Sequence, residues 1–201
     1  MKKIGQGWQY TTYDIGNGRV LKKFHSWIRA YFVILREIFP FNEDSFFEIP
    51  TFIKEVKGRA DDSLELLKRK SIPQEWLANP KFVSKYNFEQ DKVIPLHEVF
   101  ENSNTEEGKK VIDLFVEFNL KLLNIGVMDK GFNITKNYGL NNDGQIVLID
   151  IGELFDDKEY INNKLKNRGW EKSYVGGCIE NKEVREYFIN EMDRNFKLSN
   201  T

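Results

Sequence analysis

The stretch from residue 128 to residue 154 reads MDKGFNITKNYGLNNDGQIVLIDIGEL. Its Asn-Asp-Gly sequence at 142–144 is typical of a tight turn, and the apolar run at 145–149 predicts a strand that ends at Asp150. A carboxylate at the end of an apolar strand is costly to bury without a partner. Carboxylate and amide oxygens suit hard cations such as magnesium, so this strand end is a candidate metal site.

A second oxygen donor precedes the turn. Asn137 lies thirteen residues before Asp150, and a hairpin that turns at 142–144 would bring the two side chains close together. The alternative is purely structural. In that case Asn137 belongs to a simple Asn-Tyr-Gly turn, and Asp150 caps a helix that starts near Glu153.

The amino-acid composition limits the classes of protein to which this chain can belong. The 201 residues are 40% hydrophobic and 14% aromatic, which is enough for the core of one globular unit. A net charge of −1 gives no indication of nucleic acid or of an anionic membrane as partner. The single Cys178 excludes an intramolecular disulfide and fits a cytoplasmic protein. No apolar run is long enough to predict a membrane-spanning helix or a signal peptide.

The N-terminal residues 4–24 predict three short strands with a hairpin turn at 16–18. Gly5 and Gly7 come first, and glycines allow backbone N–H groups to approach phosphate oxygens closely. A lysine in the third strand would add a positive charge to such a site. Because neighbouring strand residues point to opposite sides, only one of Lys22 and Lys23 can face a cleft, and Lys22 shares its side with Val20. The alternative for both lysines is a solvated sheet edge.

The remaining elements are predicted from periodicity and from turn signals. Helices are expected at 26–39, 52–70, 105–125, 161–165 and 183–196, strands at 81–83 and 92–96 around a turn at 84–87, a connecting hinge at 97–104, and a break at 176–177. Two isolated histidines and one cysteine lack the spacing of a zinc site.

Taken in order, the asparagine, the hairpin, the strand and the Asp-x-Gly at 150–152 resemble the catalytic loop and DFG segment of the protein-kinase-like fold. The spacing between Asn137 and Asp150 matches the usual spacing in that family. The glycines followed by a lysine in the third strand resemble its nucleotide lobe. Only 49 residues follow Gly152, so the resemblance is to the compact, atypical bacterial and archaeal members.

This resemblance implies an α+β, two-lobed fold, with an N-lobe at 1–100 that holds an antiparallel sheet and helices, and a reduced, mainly helical C-lobe at 101–201. It implies that ATP is bound with Mg²⁺ on Asn137 and Asp150, while Gly5, Gly7 and Lys22 hold the phosphates. It further implies a glutamate partner for Lys22, for which Glu55 is a candidate beside Glu65 and Glu37.

The chain departs from the family at the catalytic base. The family aspartate lies five residues before the asparagine, where this chain has Phe132, and the nearest acid, Asp129, lies eight residues before Asn137. Either the loop is longer and Asp129 moves in, or the usual base is absent.

Three functions therefore remain open. The first is an atypical ATP-dependent phosphotransferase with an unknown protein or small-molecule acceptor, in which Asp129, Asn137 and Asp150 are catalytic; transfer of a nucleotidyl group is a variant of it. The second is a pseudokinase that senses nucleotide or binds a partner. The third is a structural α+β protein whose Asp-x-Gly sequence has no role in binding.

Overall fold

A computed structural model describes residues 1–38, 48–171 and 179–196. In these ranges the protein is α+β, with ten strands and seven α-helices. The strands are β1 (Lys2–Gln6), β2 (Tyr10–Gly16), β3 (Arg19–Phe24), β4 (Lys81–Phe82), β5 (Phe88–Asp91), β6 (Ile94–Pro95), β7 (Met128–Asp129), β8 (Tyr138–Leu140), β9 (Ile146–Leu148) and β10 (Leu154–Phe155). The helices are α1 (Trp27–Ile38), α2 (Ile49–Arg69), α3 (Leu96–Asn102), α4 (Thr105–Asn124), α5 (Ile134–Asn137), α6 (Lys158–Lys166) and α7 (Lys182–Phe196), with 3-10 turns at Gln74–Leu77 and Gly169–Glu171.

The N-terminal strands form an antiparallel sheet in the order β1-β2-β3-β5-β4. The hairpin between β2 and β3 turns where the sequence predicts it, because Gly16, Asn17 and Gly18 all adopt positive φ angles of 84°, 53° and 68°. The α+β class and the antiparallel sheet are therefore confirmed.

The fourth and fifth strands of this sheet differ from the prediction. The chain pairs β4 with β5 at 88–91, and only residues 94–95 of the predicted 92–96 strand are extended, in a different sheet. In β5 the side chains of Phe88 and Gln90 point inwards. Because Gln90 is polar, the sequence does not show the alternation of apolar and polar residues that would have predicted this strand. The predicted hinge at 97–104 is also wrong, because most of it is α3, which begins after Pro95 and buries Leu96.

Helix α2 begins three residues earlier than predicted, at Ile49. Pro50 lies in its first turn, where the missing backbone N–H costs nothing, so this proline starts a helix and does not belong to a loop. Ser26 lies before α1, and its hydroxyl accepts from the Arg29 backbone N–H at 3.4 Å. The predicted end of α1 at 39–40, the break at 176–177 and Cys178 lie outside the described residues.

Helix α4 is the central helix of the second half. Its N-cap is Asn104, one residue before the predicted Thr105, and a reciprocal pair of hydrogen bonds with Glu107 forms a capping box. The helix ends before Gly126, whose φ is 68°. In the described part of the chain, no helix combines the length and the apolarity needed to cross a membrane.

One continuous hydrophobic core connects the sheet to the helices. It includes Tyr10 and Phe88 of the sheet, Phe115 of α4, Tyr138 of β8 and Phe188 of α7. A smaller cluster joins α1 to α2. The β8–β9 hairpin contacts α4 on one side and the 3-10 turn at Gln74–Leu77 on another, so the stretch that carries the candidate chemistry is anchored by both.

Candidate functional site

The hairpin places Asn137 directly beside Asp150. The Asn137 backbone carbonyl accepts hydrogen bonds from the backbone N–H groups of Ile149, at 2.7 Å, and of Asp150, at 3.2 Å. Asp150 is not a helix cap, since the chain continues into β10 and the next helix, α6, is capped by Asp157. Its carboxylate instead accepts from the Gly152 N–H at 3.2 Å, which fixes the turn at the end of the strand.

Asp129 is the second carboxylate of the site, and it is held by Asn137. The Asn137 side-chain amide donates to both Asp129 carboxylate oxygens, at 3.0 and 3.1 Å, and Asp129 is fully buried. The pKa of Asp129 is raised to about 7, mainly by burial; the Asn137 hydrogen bonds oppose the rise, and the negative charges of Asp150 and Glu153 contribute to it. A carboxyl group with such a pKa can both accept and release a proton near neutral pH.

Phe132 occupies the sequence position of the family base, but its ring lies in the core. It is fully buried and packs edge-on against Trp170 and against Phe196, with centroid distances of 6.1 and 6.0 Å. Its φ of 48° turns the chain, and the single helical turn α5 then shortens the path to Asn137. These two features accommodate the three additional residues between Asp129 and Asn137. Asp129 is therefore the acid that contacts the Asn137 side chain.

Lys22 approaches the same strand end from the sheet. It is buried, and its ammonium group donates to the Ile149 backbone carbonyl, one residue before Asp150. Burial lowers the pKa of Lys22, and the nearby Asp150 carboxylate opposes that effect. Lys23 points the other way and lies over the Tyr13 ring at 5.6 Å. The structure therefore brings Lys22 to Asp150 and leaves Lys23 at the surface.

The glycine turn, residues 5–9, comprises the end of β1 and the connection to β2, and it contacts the Asp-x-Gly sequence. The Gln9 side-chain amide donates to the Gly152 carbonyl at 3.3 Å, and His25 holds the turn through the Gly7 carbonyl at 3.0 Å. A Cβ atom added at Gly152 would lie 2.0 Å from Gln9 Oε1, so the two segments approach too closely for a larger residue. Gly5 pairs within the β1–β2 ladder.

The predicted partnership between Lys22 and Glu55 is not present. Glu55 lies on an exposed side of α2, with 57% of its side chain exposed, and its carboxylate is 3.5 Å from Arg59. The rotation of α2 is set by its buried residues, which direct Ser63 and not Glu55 towards the site. The Ser63 hydroxyl donates to the Ile151 carbonyl at 2.6 Å and accepts from the Leu154 N–H at 3.0 Å.

Ser63 and Gln9 were not predicted from the sequence. A signal for Ser63 exists, since it follows Val56 and Ala60 on the apolar stripe of α2, where a polar residue needs a hydrogen-bond partner. Arg59, one turn earlier, forms an ion pair with Glu153 at 3.3 Å. Helix α2 is thus joined to the Asp-x-Gly turn by a serine and an arginine.

Tyr10 closes the inner side of the site. Its ring packs edge-on against Phe24 and Phe88, both at 5.3 Å. Burial and the Asp150 charge raise the pKa of its hydroxyl. The buried Tyr10 hydroxyl and the Gln9 Oε1 atom have no hydrogen-bond partner among the described residues. Two unpaired polar atoms therefore lie near Asp150, where a polar ligand would satisfy them.

The donor set fits a hard cation that also binds a ligand's oxygens. Asn137 contributes an amide oxygen and Asp150 a carboxylate, and magnesium commonly takes one or two protein oxygens together with phosphate and water. The described residues contain no group of three or more His, Cys, Asp or Glu side chains that would hold a metal by themselves.

No family model matches the chain, and no curated protein is similar to it in sequence. Among solved structures, it is similar to the complex of Rv3197 with erythromycin from Mycobacterium tuberculosis, at 15% sequence identity and a TM-score of 0.47. The match covers 89% of this chain and 53% of that one, so this chain spans about half the length of that structure.

Proposed function

We propose that this protein is an ATP- and Mg²⁺-binding phosphotransferase of the compact, atypical protein-kinase-like type. In this proposal residues 1–100 form a nucleotide lobe and residues 101–201 a reduced second lobe. The observation that carries it is the convergence of Lys22, Asp129, Asn137 and Asp150 at the end of one strand, beneath a glycine turn.

Each residue has a distinct role. The Asn137 amide oxygen and the Asp150 carboxylate would hold the Mg²⁺ ion, which neutralises charge on the terminal phosphates. Lys22 would bind phosphate oxygens, and the backbone of the glycine turn would cover them. Asp129 would accept the proton of an acceptor hydroxyl while that oxygen bonds to the γ-phosphorus and ADP departs. This step requires the acceptor hydroxyl to come within hydrogen-bond distance of the carboxylate.

The second candidate is a pseudokinase that binds nucleotide without transferring phosphate. Two observations favour it: the Tyr10 ring fills the space under the sheet, and Asp129 is fully buried behind Asn137. In such a module, nucleotide binding would change only the contact between the glycine turn and Gly152.

The test is the variant Asp150→Ala, compared with Asp143→Ala in the exposed hairpin turn. The wild type should be stabilised against heat by Mg-ATP and should consume ATP in a magnesium-dependent reaction. Asp150→Ala should lose both effects, and Asp143→Ala should keep them. Stabilisation without any nucleotide chemistry would select the pseudokinase, and an Asp150→Ala variant that responds like the wild type would refute both candidates.

A further inference from the structure

A cavity of about 460 Å³ opens beside the candidate site, on the side of α2 and α6. Its walls come from α2, from the chain that follows the Asp-x-Gly turn, and from the first turns of α6. A space of this size accommodates a small molecule. No role of the preceding residues requires it.

The cavity is continuous with the segment that carries Asp129. Lys130 and Glu153 both line it, and the Lys130 backbone N–H donates to the Glu153 carbonyl at 3.0 Å. One residue further along, Asp129 pairs with Leu154, another lining residue, in the β7–β10 ladder. A molecule in the cavity would therefore lie next to the strand pair that positions Asp129.

Negative charge predominates in the lining. Four carboxylates, from Asp62, Glu153, Asp157 and Glu159, face two cationic groups, those of Arg59 and Lys130. Arg59 forms an ion pair with Glu153, so the remaining charged side chains of the lining are three carboxylates and one ammonium group, that of Lys130.

These three acids differ in what they already bind. The Asp157 carboxylate accepts from the Tyr160 N–H at 2.7 Å, as the cap of α6. The side-chain carboxylates of Asp62 and Glu159 make no hydrogen bond or ion pair within the described ranges 1–38, 48–171 and 179–196. An ammonium group in the cavity would supply both with a counter-charge.

An aromatic pair forms another part of the lining. Phe155 and Tyr160 pack edge to face with their centroids 4.6 Å apart, and Tyr160 remains 42% exposed. Exposed aromatic faces attract both apolar groups and organic cations. The charges and the rings thus favour the same kind of ligand.

We propose that this cavity binds an organic cation, an amine with an aromatic or other apolar body. The ammonium group lies between Asp62 and Glu159, and the apolar body contacts Phe155 and Tyr160. This binding does not require nucleotide.

The probe is tyramine, compared with para-ethylphenol and 3-(4-hydroxyphenyl)propanoate, in which a hydrogen atom and a carboxylate respectively replace the ammonium group. Calorimetric titration of the full chain without nucleotide should give a dissociation constant for tyramine about tenfold below that of para-ethylphenol. The carboxylate analogue should bind most weakly. Equal binding of all three, or the strongest binding by the carboxylate, would overturn the proposal.

The variant Asp62→Asn/Glu159→Gln should abolish the preference for tyramine. The control Glu65→Gln/Glu117→Gln removes the same net charge from exposed helix positions elsewhere and should preserve it. Equal loss in both variants, or none in either, would place the amine outside the cavity and overturn the proposal. The response to Mg-ATP, measured separately in the same samples, reports on the proposed function alone.

Discussion

The two segments that meet at Gly152 are held in different ways. The proposed catalytic segment, residues 128–154, is anchored by buried hydrogen bonds, those between Asn137 and Asp129 and those of Ser63 with the Asp-x-Gly turn. The glycine turn opposite is held by His25 and Gln9, by two backbone hydrogen bonds at 2.9 Å and by edge-on packing of Trp8 against Phe52, and the Trp8 side chain is half exposed. The first segment is therefore preorganised, while the second can adjust around a ligand.

Under the proposed function, the first segment would be a fixed magnesium site and the second an adaptable cover over the nucleotide. Substitutions in the catalytic segment should lower the stability and the activity of the protein together, because they leave buried polar groups unpaired. Substitutions in the glycine turn should alter nucleotide affinity more than they alter the free energy of unfolding.

The largest effect is expected for Asn137→Ala. The change removes one proposed metal ligand and both hydrogen bonds to the buried Asp129, so magnesium-dependent ATP turnover should fall by about two orders of magnitude. The free energy of unfolding should also fall, by about 3 kcal/mol. Steady-state kinetics and urea denaturation measure the two losses. Asn142→Ala, in the exposed hairpin turn, is the matched control; a turnover equal to the wild type in Asn137→Ala would contradict the role of the catalytic segment.

Ser63→Ala should have the next largest effect, on stability first. It leaves the Ile151 carbonyl and the Leu154 N–H without their partner, at a cost of about 2 to 4 kcal/mol for the two buried groups. Denaturant unfolding measures this loss, and Ser71→Ala at an exposed position should cost almost nothing. If both variants unfold at the same denaturant concentration, the serine does not anchor the Asp-x-Gly turn.

A smaller effect, which a second substitution should relieve, is expected where the glycine turn contacts Gly152. Gly152→Ala places a methyl group against Gln9, and overpacking of this kind costs about 1 to 3 kcal/mol. The φ of Gly152 is not in the left-handed region, so the cost is steric and should be relieved in the double variant Gln9→Ala/Gly152→Ala. A double-mutant cycle on stability and nucleotide affinity measures the coupling. Additive effects of the two changes would show that the segments are independent.

The smallest effect is a pH dependence that originates in the glycine turn. Burial lowers the pKa of His25 below its ordinary value of 6.5, and the Gly7 carbonyl only partly opposes this. The unfolded chain therefore binds a proton at a pH where the folded chain does not. The stabilising contribution of a neutral His25 is present above about pH 6.5 and is lost as the pH falls below it.

Urea midpoints measured from about pH 7.5 down to about pH 5.5 should therefore decrease, and this decrease should be smaller in His25→Gln. The control Asn142→Ala, in the exposed hairpin turn, should retain the wild-type slope. An unchanged slope in His25→Gln would mean that the turn does not depend on the neutral imidazole.

Local turn signals and strand periodicity were sufficient to predict the hairpins and the approach of Asn137 to Asp150, which the structure shows as a backbone hydrogen bond. The glycines at 16 and 18 require a reversal of the chain, and Asn-Asp-Gly at 142–144 requires another. Next to these turns, the alternation of side chains between the two faces of the sheet determines where the strands run. The preference for Lys22 over Lys23 follows from the same alternation and agrees with their burial in the structure.

The acid that contacts Asn137, and the α2 residue that contacts the site, could not be predicted from such local signals. The direction of Asp129 depends on the positive φ of Phe132 and on α5, and both are stabilised by the packing of the Phe132 ring against distant residues. The rotation of α2 depends on which of its residues the core accepts. Glu55 was therefore a wrong prediction, and Ser63 was missed although it lies on the apolar stripe.

The account is tested most directly by a crystal structure with Mg²⁺ and a non-hydrolysable ATP analogue. We expect a magnesium ion about 2.1 Å from a carboxylate oxygen of Asp150 and from the Asn137 side-chain oxygen, with Lys22 on the phosphates. A triphosphate bound away from Lys22, or a cation whose ligands include neither Asn137 nor Asp150, would contradict it.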